Sequence, residues 1–206
     1  MTAKESIIYH IKRSPRKTVF FVDSFPSIEE KHVANVLSSL VEEGMLIRIA
    51  QGIYVKPQKT RFGLLPPSDE EIAKAIARRD KAKILPTGNT VLNQLHYSTQ
   101  VPMNLEFLTT GTSRVIKLDN RTIRFKTTAP KIFSFKGKFM PLLVLALKAI
   151  GQHNVTDQHL GITRKWLLEF PETKSWRTDV NLAPAWIKKI IINIKQNIEN
   201  EQMDRQ

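Results

Sequence analysis

The sequence predicts an α+β protein, and three observations carry that prediction. Serine or threonine stands three residues before glutamate at three helix starts. Short β-branched runs flank a glycine turn near residue 52, and a β-rich middle precedes a helical C-terminal third. The chain has 206 residues and a hydrophobic fraction of 41%, enough for one large domain or two small ones with a real core.

The first helix begins at Thr2, whose spacing from Glu5 is that of a capping box. Ile7, Ile8 and Ile11 form its apolar stripe, and Ser14-Pro15 closes it, because proline disfavours helix in the residue before it. Thr18 to Val22 reads as a short strand, and Asp23 to Phe25 has room for one helical turn. Ser27 and Glu30 form a second expected capping box. Val33, Val36, Leu37, Leu40 and Val41 then repeat at helical period, and Gly44 ends the helix. Met45 to Ile49 and Ile53 to Val55 read as two strands around the turn Ala50-Gln51-Gly52, and Pro57 stops the second.

Helix, helical turn, amphipathic helix, then β-hairpin is the order of a winged helix-turn-helix, expected over residues 1–60. In that fold the helix Ser27–Gly44 would enter the major groove of DNA. Its polar face offers Lys31, Asn35, Ser38 and Ser39, with His32 at the edge. Asparagine pairs bidentately with adenine, and lysine reaches guanine or phosphate. Arg48 and Gln51 at the hairpin would reach the backbone or minor groove, and Arg13, Arg16 and Lys17 would clamp phosphates. A polar helix face is also what any solvated helix shows. Glu29, Glu30, Glu42 and Glu43 on or near the same helix would repel phosphate wherever they faced it.

Residues 61–206 are expected to form a second, mixed α/β domain, with an α+β core over 61–150 and a helical tail over 151–206. Lys56 to Arg61 reads as a linker. Ser68 caps a helix with Glu71 and the apolar positions Ile72, Ala75 and Ile76. Lys83 to Pro86 reads as a strand and Gly88 onward as a helix. Leu105–Thr109, Arg114–Leu118 and Thr122–Lys126 read as strands, with Asp119-Asn120 as a turn. An apolar helix over 139–150 ends at Gly151, and the last helix carries Ile187, Ile190, Ile191, Ile194 and Ile198 as its buried stripe.

Lysine and arginine number 32 against 19 acidic residues, a net charge of +13. Such a surface attracts polyanions. The excess is +4 over residues 1–62, +7 over 63–140 and +2 over 141–206. The basic cluster Lys74, Arg78, Arg79, Lys81 and Lys83 is either a contact to DNA or an acidic partner, or a solvated helix face. Gln100 with Val101-Pro102, and Ser113 with Arg114 after Thr110-Gly111-Thr112, are either contact loops or plain turns.

Catalytic chemistry finds little footing. Cysteine is absent, which excludes disulfides, thiol catalysis and cysteine-ligated metals. The 5 histidines lack metal-ligand spacing with acidic partners. Gly137-Lys138 lacks the upstream glycine of a phosphate-binding loop. In the β-rich middle only Glu106 and Asp119 offer carboxylates for a nuclease centre. The chain is therefore expected not to be an enzyme and to need no metal and no cofactor. No apolar run of about 18 residues is present and Met1 to Glu5 is polar, so a cytoplasmic protein with no membrane partner is expected.

A resemblance sharpens this. Val19-Phe20, Asp23, Phe25, Val36-Leu37-Ser38-Ser39-Leu40, Gly44, Arg48, Gly52, Tyr54 and Pro57 resemble the N-terminal domain of AbiEi-type antitoxins. Gly63-Leu64-Leu65-Pro66-Pro67-Ser68, Leu85-Pro86-Thr87-Gly88, Ser98-Thr99-Gln100-Val101-Pro102 and Phe107-Leu108-Thr109-Thr110-Gly111 are similar to antitoxin-domain signatures of one branch of that family. The likeness covers roughly residues 1–150. It departs at Arg16-Lys17, where relatives often have Arg-Gly, and at His96, where glycine is common. The resemblance implies an antitoxin of a type IV toxin–antitoxin system in abortive infection, a phage defence. Such a protein neutralises a nucleotidyltransferase-like toxin and represses its own operon by binding double-stranded operator DNA. Arg78, Arg79, Gln100, Ser113 and Arg114 are the candidate partner contacts. A standalone transcription regulator and a pure protein-interaction module remain as alternative readings.

Overall fold

The computed structural model describes residues 2–170 and 174–203. It is a mixed α+β structure whose chain divides into two compact units, Met1–Arg79 with Ile116–Ile123, and Asp80–Val115 with Arg124–Gln206. The helix that follows residue 60 falls within the first of these units.

In the first unit, α1 (Ala3–Arg13) starts at Thr2 with the expected capping box and ends at Ser14. β1 (Val19–Phe21) follows, then a 3-10 turn (Val22–Ser24) and α2 (Glu30–Glu42). The expected cap at Ser27 is not formed. Glu29 occupies the cap position without a side-chain bond, because Ile28 N–H is bonded back to the Phe25 carbonyl at 3.1 Å and the chain turns once more before the helix. Gly44 has φ +70°, the left-handed conformation expected after a helix end.

β2 (Ile47–Ala50) and β3 (Ile53–Val55) form the expected hairpin. Instead of standing alone it joins β1 in a three-stranded sheet of order β1-β3-β2. Phe20 lies opposite Tyr54, and both enter the core made by Ile7, Ile11, Val33, Leu37 and Leu40. On the other face Phe21 pairs Ile53 and Val19 pairs Val55, and Phe21, Ile53 and Val55 are buried there.

Residues expected to be a linker form a second hairpin, β4 (Gln58–Thr60) with β5 (Gly63–Leu65). α3 (Asp69–Arg79) then begins with the expected Ser68–Glu71 capping box, in which Glu71 N–H donates to Ser68 Oγ and Ser68 N–H to the Glu71 carboxylate at 2.7 Å. Those bonds, with Lys17 and Lys74 nearby, hold the Glu71 carboxyl below its usual range. Ile72, Ala73 and Ile76 are buried, and Arg79 lies 4.5 Å over the Phe21 ring and 3.9 Å from Asp23. α3 thus runs beside the second face of the sheet. Arg121, in the turn segment counted with this unit, pairs with Asp69 at 2.9 Å.

The second unit combines β6 (Ile84–Pro86), α4 (Gly88–Gln94), β7 (Asn104–Thr109) and the parts of β8 (Arg114–Leu118) and β9 (Arg121–Thr127) outside Ile116–Ile123 with α5 (Met140–Ile150), α6 (Asp157–Glu169), α7 (Trp176–Leu182) and α8 (Ala185–Met203). The strands form one sheet of order β6-β7-β9-β8. Residues beyond 150 are not an appendage. Leu167, Val180, Ile187, Ile191, Ile194 and Ile198 share one core with Leu143, Val144 and Leu147 of α5 and with Val91 and Leu95.

Buried polar groups tie this core together. The Asp179 carboxylate, only 1% exposed, accepts N–H bonds from Lys136 at 2.8 Å and Gly137 at 2.7 Å. A Cβ at Gly137 would stand 2.8 Å from that carboxylate and would force it to shift. Trp166 Nε1–H donates to the Leu95 carbonyl at 2.8 Å. The hydroxyls of Tyr97 and Thr163 lie 2.7 Å apart. Among the described residues no helix is long and apolar enough to cross a membrane.

Two stability predictions follow from these links. Lys56 Nζ donates to the carbonyls of Ile11, Lys12 and Ser14 at 2.9, 2.7 and 2.6 Å, satisfying the C-terminal end of α1. Lys56→Met should cost about 2 kcal/mol, the scale of charge-assisted bonds, read as a lowered denaturation midpoint. Burial pushes the Tyr97 hydroxyl up to about 12, against the opposing effect of the Thr163 bond. The folded protein retains the phenol proton that the unfolded chain has already released. Stability should therefore fall as pH rises from about 10 to about 12, by about 2 kcal/mol from this group. Tyr97→Phe, compared with the wild type by denaturation across that range, should remove that part of the decline.

Candidate nucleic-acid interface

The exposed ridge of α2 is set by its period. With Val33, Val36, Leu37 and Leu40 buried, Lys31, Asn35, Ser38 and Glu42 line up on the opposite side at spacings of four, three and four. Lys31, His32 and Asn35 are exposed, and Ser38 and Ser39 are half-buried. Ser39 turns toward α1, where its hydroxyl donates to Glu43 at 3.1 Å and Glu43 meets Lys4 at 3.7 Å. Glu43 is therefore neutralised on the flank of α2, and Glu42 is the carboxylate on the central ridge.

The hairpin turn at Gln51-Gly52 lies at the Phe21–Ile53 end of the sheet. This is also the end from which the chain leaves β1 toward the start of α2. Gln51 is exposed at this turn, and Arg48 is exposed opposite Tyr54, midway along the sheet. The start of α2, with Lys31 and His32, and the turn at Gln51 thus belong to one end of the unit.

Arg16 and Lys17 belong to the other end. Lys17 N–H donates to the Lys56 carbonyl at 2.7 Å, just beyond the Val19–Val55 pair. Three residues of strand, about 10 Å, separate this point from the turn. Two recesses meet here. One, of about 350 Å³, is lined by Arg16, Lys56 and Lys59 with Glu43, Gly44 and Met45. The other, of about 390 Å³, is lined by Arg16, Lys17, Lys74 and Arg78 with Thr18 and Glu71. Together they form a belt of six cations in which Arg16 is common to both. Lys74 is paired with Glu70 at 2.6 Å, one helical turn away. Arg13 is directed elsewhere, since it donates to the Tyr9 hydroxyl at 2.8 Å and lies 5.3 Å from that ring.

The expected partner contacts also separate. Arg78 joins the basic belt, whereas Arg79 is engaged by Phe21 and Asp23. Arg114 pairs with Asp80 and lies over Phe125. Ser113 Oγ accepts from Thr127 N–H at 2.8 Å and donates to Thr127 Oγ1 at 3.0 Å, so it closes its own loop. Gln100 stands on an exposed loop beside Val101, 82% exposed, and Met103, 62% exposed.

Lys56, Lys59 and the β4–β5 hairpin escaped the sequence reading. The available signal was the turn composition Thr60-Arg61-Phe62-Gly63, which the short flanking strands did not reinforce. Glu106, considered for a metal centre, is paired with Lys126 at 3.0 Å. Gly137 N–H, considered for phosphate, is held by Asp179. Among the described residues no group of three histidines or carboxylates is placed to hold a metal ion.

No curated protein matches the chain. A family model matches residues 6–171, which takes in the α2 ridge, the basic belt and most of the second unit; the chain belongs to DUF6088, a family of unknown function.

Proposed function

We propose that this protein binds duplex DNA through an N-terminal winged helix and represses its own operon as an antitoxin. The observation that carries the reading is the outward ridge of Lys31, Asn35 and Ser38 on α2, together with the exposed Arg48 and Gln51 of the β2–β3 hairpin. The order α1, β1, helical turn, α2, β2, β3 with a β1-β3-β2 sheet supports the winged-helix assignment. In this mode α2 lies in the major groove, where Asn35 meets an adenine edge and Lys31 a guanine or phosphate. The basic belt at the opposite end lies on the flanking backbone, which fixes position without reading sequence. The antitoxin role, with a nucleotidyltransferase-like toxin as partner, is supported by the AbiEi-like residue pattern. The exposed Gln100–Met103 loop is the apolar surface available to that partner.

The test is binding of the full chain to the DNA upstream of its own gene, by fluorescence anisotropy across salt. Lys31→Ala and Asn35→Ala should each weaken specific binding by about 1–3 kcal/mol while leaving non-specific duplex binding nearly unchanged. Arg16→Ala and Arg78→Ala should weaken all sequences alike and each lower the salt slope by about one. Unchanged specific binding in the α2 variants would refute the docking mode. For the antitoxin role, co-expression with the toxin encoded beside it should restore growth. Failure to restore growth, with DNA binding intact, would leave a standalone regulator.

A further inference from the structure

The hairpin of β4 and β5 is an unusual surface feature. Both strands are three residues long and pair only with each other. Such isolated hairpins are marginal unless something stabilises their shape. Here the turn is built by Thr60. Its hydroxyl donates to the Gly63 carbonyl at 2.9 Å and accepts from Phe62 N–H at 3.2 Å. Gly63 has φ +114°, a conformation open to glycine. At the tip, Phe62 is 87% exposed, and the Arg61 guanidinium lies 4.6 Å over its ring. Leu64 and Leu65 are 48% and 45% exposed, and Lys59 lies directly opposite Leu64.

We propose that this hairpin is a second DNA-contacting arm, in which Phe62 wedges into a base step from the minor groove and Arg61 and Lys59 hold the adjacent phosphates. The proposal rests on the DNA-binding reading above. The Phe62 ring is held out in water by a fixed turn, with the Arg61 guanidinium over it. Apolar wedges of this kind partly unstack base steps, and cationic neighbours are drawn to the negative potential of the narrow groove. The charge pattern selects this partner. Lys59 lines the same recess as Arg16 and Lys56, so the arm extends the basic belt and shares its attraction for phosphate. Pairing of the hairpin with a second copy would instead bring Lys59 and Arg61 close to their own counterparts, which repel.

The experiment uses the full chain and a mixed-sequence duplex carrying 2-aminopurine at its TA steps, at low salt. Wild-type protein should bind and brighten the probe as bases unstack. Phe62→Ala should bind about tenfold or more weakly and leave the probe dark, in line with the loss of one stacking contact. Phe62→Leu should keep part of both signals, and Arg61→Ala should lower the salt slope by about one. Because Phe62 is exposed, circular dichroism should show all three variants folded. Wild-type binding with Phe62→Ala equal to it and no brightening in either would overturn the arm and leave the α2 reading standing. Failure of wild type to bind any duplex would overturn both. A dimer in sedimentation that becomes a monomer on Phe62→Ala would assign the hairpin to self-association and overturn the proposal.

Discussion

Strand β3 is buried on both of its faces, and the candidate interface depends on that burial. Tyr54 packs into the α1–α2 core, while Ile53 and Val55 point the other way and are buried as well. A hairpin held on one face alone would be free to twist relative to α2. One whose central strand is packed on both sides has a fixed position, because cores tolerate little displacement. Lys56, the next residue, then anchors the end of α1 through three carbonyls. A run of four residues therefore sets the sheet, the hairpin and the first helix together. The outward ridge of α2 follows from the same packing, since its buried side is committed to that core.

Much of this unit was legible because local chemistry and tertiary packing agree. The Thr2–Glu5 and Ser68–Glu71 boxes, the Gly44 stop and the Gln51-Gly52 turn all act within a few residues. The Ser27 box did not form, because a turn closed by Ile28 N–H on the Phe25 carbonyl moves the helix start to Glu30. The pairing of β1 with β3 could not be read, because it joins residues more than thirty apart and short strands carry no register signal of their own. The β4–β5 hairpin was hidden by its exposure. With no buried face, its sequence lacks the alternation that identifies a strand.

The same separation applies to the second unit. The isoleucine stripe of α8 is periodic and predicts a buried face wherever the helix lies. Its partners in α5 and α6 are set by shape and become visible only in three dimensions. Left-handed backbone at Lys17, φ 65°, and His96, φ 59°, was equally silent in this chain's own residues. There the turn geometry demands a conformation that costs an ordinary side chain about 1 kcal/mol.

Charge is unevenly placed within the first unit, and this constrains the proposed DNA-binding mode. α2 and its N-cap residue carry Lys31 against Glu29, Glu30 and Glu42, so the helix itself gains little from phosphate attraction. The six cations of the belt lie at the far end of the sheet, around Arg16. Non-specific affinity comes mainly from neutralised phosphates, so on the proposed mode it resides in the belt. On that same proposed mode, discrimination comes from α2, whose acidic ends oppose any approach that lacks matching base contacts. In that mode the helix gains little from random sequence and is held only where Asn35 and Lys31 find their partners. The proposal thus implies specificity obtained by withholding charge from the reading surface, with the attraction placed where it carries no sequence information.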